Sequence, residues 1–530
     1  MKLKPAESLI TLFKFYVDSC QFVIAKEVAS QIEIFEYLDI QYLLNKLEMW
    51  VRLGEYERSL DTISQLSKSE YSPEACELCR QLVKFRLNKI ENANDALICA
   101  KVLFENKMIS ETEQVLQNAL QSDGFNINIK AYLAKFYLDI GNISKSESLA
   151  KEIIETEETN AIAWSVHGNV LRLMGNVEDS YIAHQKALAL DSEIYESLLD
   201  VTAIEVSRST DKINFDQCIT SSNRCLQVFM RKNYKFSDLD ASLCKIKHDN
   251  AQAKYLLEYK CMDNLMPYIS ITDQILSQMI EPISRSDYKL SEIELSIIND
   301  YNKLIHICDQ YYDPGTYLNP DLDWRSISEI YKSSTPSLVV IDDFLNVETL
   351  EYLRKFCHES KVWHKTYQQA YLGAFMDKGF ISRVHMNISQ ELKTKLPDVI
   401  QQDQLEQLWA FKYDSHLGKG INVHADFARI NLNFWITPDE FNLSKDNGGM
   451  IVYSEPAPRD WNYVDYNINA KKIYEYLDLH NSRSVTIPYK ANRAVLFDST
   501  LFHETDEIKF VDSYLGRRIN MTYLFGVQLN

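Results

Sequence analysis

No stretch of this 530-residue chain is apolar over the roughly 20 consecutive positions that a helix needs to cross a bilayer. The N-terminus, MKLKPAESLITLFKFYVDSC, carries two lysines but breaks its apolar character at Lys14 and Asp18 and has no small-residue cleavage site, so no signal peptide is expected. Positive charge is in deficit. Fifty-six Lys and Arg against 75 Asp and Glu leave a net charge of −19, which argues against broad binding to nucleic acid or to an anionic membrane, both negative themselves. Cysteine is sparse: ten, scattered along the chain, do not form the dense framework of a small secreted domain, and a reducing cytoplasm is the simpler setting. The one close pair, Cys76-x-x-Cys79, has no matching Cys/His pair at zinc spacing and reads as two thiols on a helix. What is present in quantity is apolar residue, 46% of the chain. That suffices for real cores over two or three domains and argues against intrinsic disorder.

Proline is also scarce in the first half, where apolar positions recur at helical rather than alternating spacing. The clearest unit, AIAWSVHGNVLRLMGNVEDSYIAHQKALALDSE from Ala161 to Glu193, has Trp164, Gly168, Gly175 and Ala187 at the offsets of a tetratricopeptide repeat, which it resembles. Small residues at Gly168 and Ala187 let the two helices of a hairpin approach closely. Gly141 lies one repeat length before Gly175, and Gly54 stands at a comparable junction. Stacked hairpins of this kind build a solenoid, a surface that commonly binds peptides or proteins; they serve equally as scaffold.

The helical character persists from about Asp238 to Thr335 and turns irregular at YYDPGTYLNPDLDW, where Pro314, Gly315, Asn319 and Pro320 supply turn chemistry. After Pro336 the pattern changes to a strand, a turn and an amphipathic helix, and from about Gln407 to strands: QLWAFKYD, RINLNFWIT, MIVYSE, SVTIP, RAVLFD and RRINMTYLFG. Two of them have a polar and an apolar face. Arg429, Asn431 and Asn433 oppose Ile430, Leu432 and Phe434, and Arg518, Asn520 and Thr522 oppose Ile519, Met521 and Tyr523. The predicted class is multidomain α plus β: an all-α repeat domain over 1–235, a helical connecting region over 236–335, and a jelly-roll domain with flanking helices over 336–530.

Two polar strand faces either meet water or line a polar barrel interior, and the histidines decide between these. In GINVHADFARIN, His424 and Asp426 are one residue apart, so in extended chain both point the same way. His503, in AVLFDSTLFHETD, follows a later strand. Two imidazoles and one carboxylate on one face of an octahedral ion form the non-heme iron(II) triad, leaving the other positions open. An HxD pair alone is weak. The ordered set of HxD, strand, Gly448-Gly449 turn, further strands, second His and final Arg is specific.

In that set the chain resembles the 2-oxoglutarate dioxygenases, in particular the prolyl-hydroxylase-like branch of the double-stranded β-helix fold, and bacterial proteins that join helical repeats to such a domain. The likeness covers roughly Leu338 to the C-terminus and is densest in HADFARINLNFWITPDE, NGGMIVY, NRAVLFDSTLFHETD and RRINMTYLFG; KIKHDNAQAKYL, around His248, is similar to the helical region that precedes the domain. The resemblance implies that His424, Asp426 and His503 bind Fe(II) and that Arg518 pairs with the distal carboxylate of 2-oxoglutarate, with Tyr413 and Thr522 beside it. Arg517 is the neighbouring alternative, turned to the other face by strand alternation. A departure from the pattern is the longer interval between His503 and Arg518, with IKFVDSYLG between them, either a lid or an inert surface hairpin. Trp435, Trp461 and Tyr463 are readable as substrate-facing or as core.

The implied activity is Fe(II)- and 2-oxoglutarate-dependent hydroxylation of a C–H bond with O2, releasing succinate and CO2. With Asp426 in the carboxylate place, no protein ligand is missing for a halide to replace. The substrate is expected to be a peptide or protein recruited by the repeats; the alternatives are a small molecule or glycan with the repeats as scaffold, or a non-catalytic adaptor.

Overall fold

A computed structural model of the protein describes residues 28, 40–68, 73–122, 126–208, 212–233, 239–278, 292–308, 312–367, 369–400, 402–414, 416 and 420–528. The chain gathers into two compact units, Met1–Ser192 and Glu193–Asn530. The helices from Tyr195 to Lys303, which the sequence pattern divides between repeats and connector, belong to the second of them.

The first unit is built of antiparallel helix pairs, among them Ala93–Glu105 with Ile109–Ser122, Ile127–Asp139 with Ile143–Thr156, and Ala161–Leu173 with Val177–Leu190. Gly54, Gly141 and Gly175 each end a helix with φ between +74° and +82°, the left-handed conformation that reverses the chain without a Cβ penalty. Asn92, Asn126 and Asn160 cap the following or adjacent helices, each side-chain oxygen accepting from the backbone N–H three residues on. Gly168 sets the closest approach within a pair: a Cβ there would lie 2.7 Å from the His184 ring, and its carbonyl accepts from Ser180 Oγ at 2.8 Å. This is a helical repeat region of tetratricopeptide type. Cys76 and Cys79 are free thiols on the helix Pro73–Arg86, Cys76 buried and Cys79 half-buried.

The second unit carries ten strands: β1 Leu338–Ile341, β2 Lys365–Tyr367, β3 Tyr371–Phe375, β4 Leu405–Tyr413, β5 Ala428–Trp435, β6 Met450–Pro456, β7 Ser484–Ile487, β8 Ala494–Asp498, β9 Leu501–Thr505 and β10 Arg518–Val527. They form two antiparallel sheets, a seven-stranded one in the order β1-β8-β5-β10-β4-β3-β2 and a three-stranded one in the order β7-β6-β9. Alternation divides each central strand. Ile519, Met521 and Tyr523 of β10, with Leu432 and Phe434 of β5, enter the large core that includes Phe356 and Phe380, while Tyr413, Trp435, Val452 and Phe497 share a separate core with residues of the smaller sheet. Burying each of these large side chains contributes roughly 1.5–3 kcal/mol. Helices pack on the outer face of the larger sheet, among them Tyr195–Arg208 against β4 and Leu239–Lys260 against β2 and β3. No described helix is long and apolar enough to cross a membrane.

Candidate metal centre

β5 starts two residues after Asp426, and β9 contains His503. His424 and His503 meet as an isolated antiparallel bridge, exchanging backbone hydrogen bonds of 3.0 and 2.8 Å. Residues directly opposed across such a bridge point to the same side, and their rings lie 4.3 Å apart. The Asp426 N–H donates to the Ser499 carbonyl at 3.1 Å, which brings its carboxylate to the same place. His503 Nε2 is 3.5 Å from Asp426 Oδ2, and His424 Nε2 is 4.0 Å from Asp426 Oδ1. Among the described residues this trio alone gathers three or more His, Cys, Asp or Glu ligand atoms within 4.8 Å of one another.

The proton positions suit a cation. Nδ1 of His424 faces the Asn422 carbonyl at 2.8 Å, and Nδ1 of His503 faces the Leu501 carbonyl at 2.9 Å. A carbonyl only accepts, so Nδ1 carries the proton in both rings and the Nε2 lone pairs are directed at Asp426. Burial, with the neighbouring His503 imidazole adding to it, pushes the His424 pKa down to about 4, so the ring is neutral at pH 7. Burial alone would raise Asp426, but His503, His424 and Asn431 outweigh it and hold the carboxyl below its usual range. Asn431, fully buried, donates from Nδ2 to Asp426 Oδ2 at 2.9 Å. Nitrogen and oxygen donors at about 2.1 Å from one ion stand about 3 Å apart when adjacent, so separations of 3.5 and 4.0 Å close by small side-chain movements. The donor set fits a divalent transition metal such as iron(II).

These three side chains face a cavity of about 450 Å³ that Arg518, Tyr413 and Thr522 also line. Arg518 is buried, its Nε donating to the Gly448 carbonyl at 2.6 Å and its Nη2 to the Gly449 carbonyl at 3.0 Å, with Nη1 3.4 Å from Asn520 Oδ1. Its guanidinium stands 4.9 Å from the Tyr413 ring centre. Burial lowers the Arg518 pKa from its ordinary value, yet a guanidinium remains charged in a protein. Burial raises the Tyr413 pKa, so its hydroxyl keeps its proton. Thr522 Oγ1 accepts from Asn433 Nδ2 at 3.1 Å. The Gly448-Gly449 turn is thus also the clamp for the Arg518 fork, a role carried by backbone carbonyls and therefore absent from residue identity.

Arg517 faces away from the cavity. Its Nη2 donates to Asp414 Oδ2 at 3.1 Å, Lys247 Nζ reaches the same oxygen at 3.2 Å and Asp512 at 2.9 Å, and both Asp414 and Arg517 are nearly inaccessible. The interval between His503 and Arg518 lies against the helices: Tyr514 is held by the His358 carbonyl at 2.7 Å and packs on His248. His248 is fully buried, Nδ1 to Asp249 at 2.9 Å, and burial pushes its pKa well down. Tyr463 lines the cavity, whereas Trp435 is buried between the sheets and Trp461 packs on Tyr476 and Phe502. Asn431 and the aromatic wall of Phe375, Trp409 and Phe411 were not singled out as site residues by sequence; the polar face of β5 was the available signal for Asn431.

No protein-family model matches the chain, and no curated protein does. Solved structures similar to it include MamA from Desulfovibrio magneticus RS-1, at 12% identity over 37% of this chain and 97% of that one, TM-score 0.21. The C-terminal part of a TPR repeat-containing protein from Cytophaga hutchinsonii matches at 12% identity over 55% and 99%, TM-score 0.22. A non-heme alpha-ketoglutarate-dependent carbocyclase, SnoK from nogalamycin biosynthesis, matches at 13% identity over 40% and 87%, TM-score 0.29. Likenesses this slight carry no argument; the helix pairing and the geometry around Asp426 do.

Proposed function

We propose that the protein is an Fe(II)- and 2-oxoglutarate-dependent dioxygenase that hydroxylates a C–H bond of a peptide or protein. The observation that carries this reading is two imidazoles with outward-locked protons and one carboxylate converging on a cavity that also holds one buried arginine. In this reading the two sheets form a double-stranded β-helix, residues 336–530 are the catalytic domain, 236–335 connect it, and 1–235 recruit the substrate.

His424, Asp426 and His503 hold the iron, and Asn431 fixes the Asp426 carboxylate so that one oxygen faces it. Iron(II) with 2-oxoglutarate and O2 supplies the oxidation, in which R–H, 2-oxoglutarate and O2 become R–OH, succinate and CO2. With Gly448 and Gly449 on Nε and one Nη2 hydrogen of Arg518 and Asn520 beside Nη1, its remaining Nη hydrogens would pair with the distal carboxylate. Tyr413 donates its hydroxyl to the same carboxylate and lies under the guanidinium. The aromatic wall excludes water around the reacting carbon. A succinate-release assay with iron(II), 2-oxoglutarate and peptide pools, read by a one-oxygen mass gain, tests the proposal. Stimulated release supports it; none with any pool, in protein that binds iron, contradicts it.

A further inference from the structure

Tyr413, Phe411, Trp409 and Gln407 occupy alternate positions of β4 and therefore face the same side of the larger sheet. The first three line the cavity of the metal ligands, and Trp409 and Gln407 line a second cavity of about 480 Å³. Phe375, Trp409 and Phe427 belong to both walls, and Phe427 directly follows the ligand Asp426. The two cavities are thus consecutive stretches of one trough along β4. Tyr413 lies six residue steps along the strand from Gln407, about 20 Å at ~3.3 Å per step, the span of about six residues of extended peptide.

Charge is distributed unevenly along this trough. At the metal end Glu504 accepts from Tyr453 at 2.5 Å and Tyr474 at 2.7 Å, and beyond it, the three candidate ligands and Arg518 the lining side chains are uncharged: aromatic rings, aliphatic side chains, amides and the hydroxyls of Thr505 and Thr522. In the second cavity Lys378 is paired with Asp377 at 2.6 Å. Lys365, exposed on the edge strand β2, has no carboxylate within 4.0 Å among the described residues, and its Nζ lies 5.7 Å from the centre of the Tyr367 ring. Register places Lys365 opposite Gly373, itself opposite Phe411, so its side chain rises on the trough side of the sheet.

We propose that the second cavity is a substrate subsite, and that the trough takes an extended peptide with an uncharged residue at the metal, apolar contact at the Phe375–Trp409–Phe427 partition, and a carboxylate side chain at Lys365. This rests on the function proposed above. Phe375 and Trp409 face each other across strands with ring centres 6.3 Å apart, and Gly373 leaves room for the Phe375 and Tyr367 rings: a Cβ there would lie 2.9 Å from the first and 3.2 Å from the second.

The test uses the full-length protein with manganese(II) and 2-oxoglutarate, and two fluorescein-labelled hexapeptide pools, identical in their neutral positions but carrying glutamate or lysine at the fifth. Anisotropy should show the glutamate pool binding about tenfold tighter, and Lys365→Glu should abolish or invert that preference. No preference in the wild type, or one that survives Lys365→Glu, overturns the proposal. Manganese(II) binding, titrated on the same samples, separates the two readings. Metal binding without charge preference removes the subsite and leaves the metal centre standing, whereas charge preference without metal binding removes the metal centre and leaves the trough.

Discussion

At each candidate histidine ligand, the nitrogen that faces away from Asp426 decides how the ring is used. The Asn422 and Leu501 carbonyls hold the Nδ1 protons, so Nε2 is a lone pair without any tautomeric shift. His424→Ala or His503→Ala should abolish iron(II) binding with the fold intact by circular dichroism. Asn431→Ala leaves all three ligands but frees the Asp426 carboxylate, so metal affinity should fall about 10–100-fold by calorimetry; unchanged affinity would remove Asn431 from the site. The adjacent arginines should separate by kind of effect. Arg518→Ala should weaken 2-oxoglutarate binding by more than about tenfold with little change in melting temperature. Arg517→Ala removes one of the two cations on the buried Asp414 carboxylate, leaving Lys247, and should cost roughly 1.5–3 kcal/mol of stability. A loss of co-substrate affinity confined to Arg517→Ala would mean that the register has been misassigned. That the two arginines face opposite sides was legible in the sequence, because a period of two puts Arg518, Asn520 and Thr522 together wherever the strand lies. The Asp414 partnership of Arg517 was not legible, since it joins residues 103 apart along the chain.

Turns between strands hold the candidate site together as firmly as its side chains do. Gly449 permits no side chain: a Cβ would lie 1.9 Å from the Ile487 carbonyl oxygen of β7. Backbone there cannot yield without breaking the β6–β7 ladder, which pairs Met450 with Ile487, so Gly449→Ala should lower both thermal stability and 2-oxoglutarate affinity, the latter through the displaced Arg518 clamp. A soluble variant with wild-type affinity would contradict the clamp. Sequence located this turn by its glycine pair, as it located Gly54, Gly141 and Gly175 at helix ends, because a positive φ leaves a mark in residue type. It also put two alternatives on the interval around IKFVDSYLG. Its packing was hidden because Tyr514 reaches His358, 156 residues away, and Lys247 reaches Asp512, 265 residues away, and no local pattern encodes contacts at that distance.

For the whole molecule, buried histidines set the response to acid. Burial pushes His364 and His385 down to about 3 and His184 down to about 4. Their folded values lie below the unfolded value of about 6.5, so the unfolded chain binds more protons between the two. Their stability contribution is therefore complete above about pH 6.5 and is lost as pH falls toward 3. Melting temperature should decline over that window, and His385→Gln should flatten the decline in the second unit; a pH-independent melting temperature would contradict the buried, neutral state. In the first unit, Ile162 and Ile182 are exposed on the helices Ala161–Leu173 and Val177–Leu190. If the repeats recruit the substrate, changing both to Asp should reduce turnover of a macromolecular substrate without altering co-substrate affinity.

The central claim is that His424, Asp426 and His503 hold iron(II) in front of a 2-oxoglutarate site built on Arg518. Anaerobic calorimetric titration of 2-oxoglutarate into the iron(II)-loaded full-length protein tests it most directly. The account predicts one site per chain, binding that is lost without metal or in His503→Ala, and affinity weakened more than about tenfold in Arg518→Ala. Binding of 2-oxoglutarate that is indifferent to the metal and to both substitutions, or no binding to the iron-loaded protein at all, would contradict it.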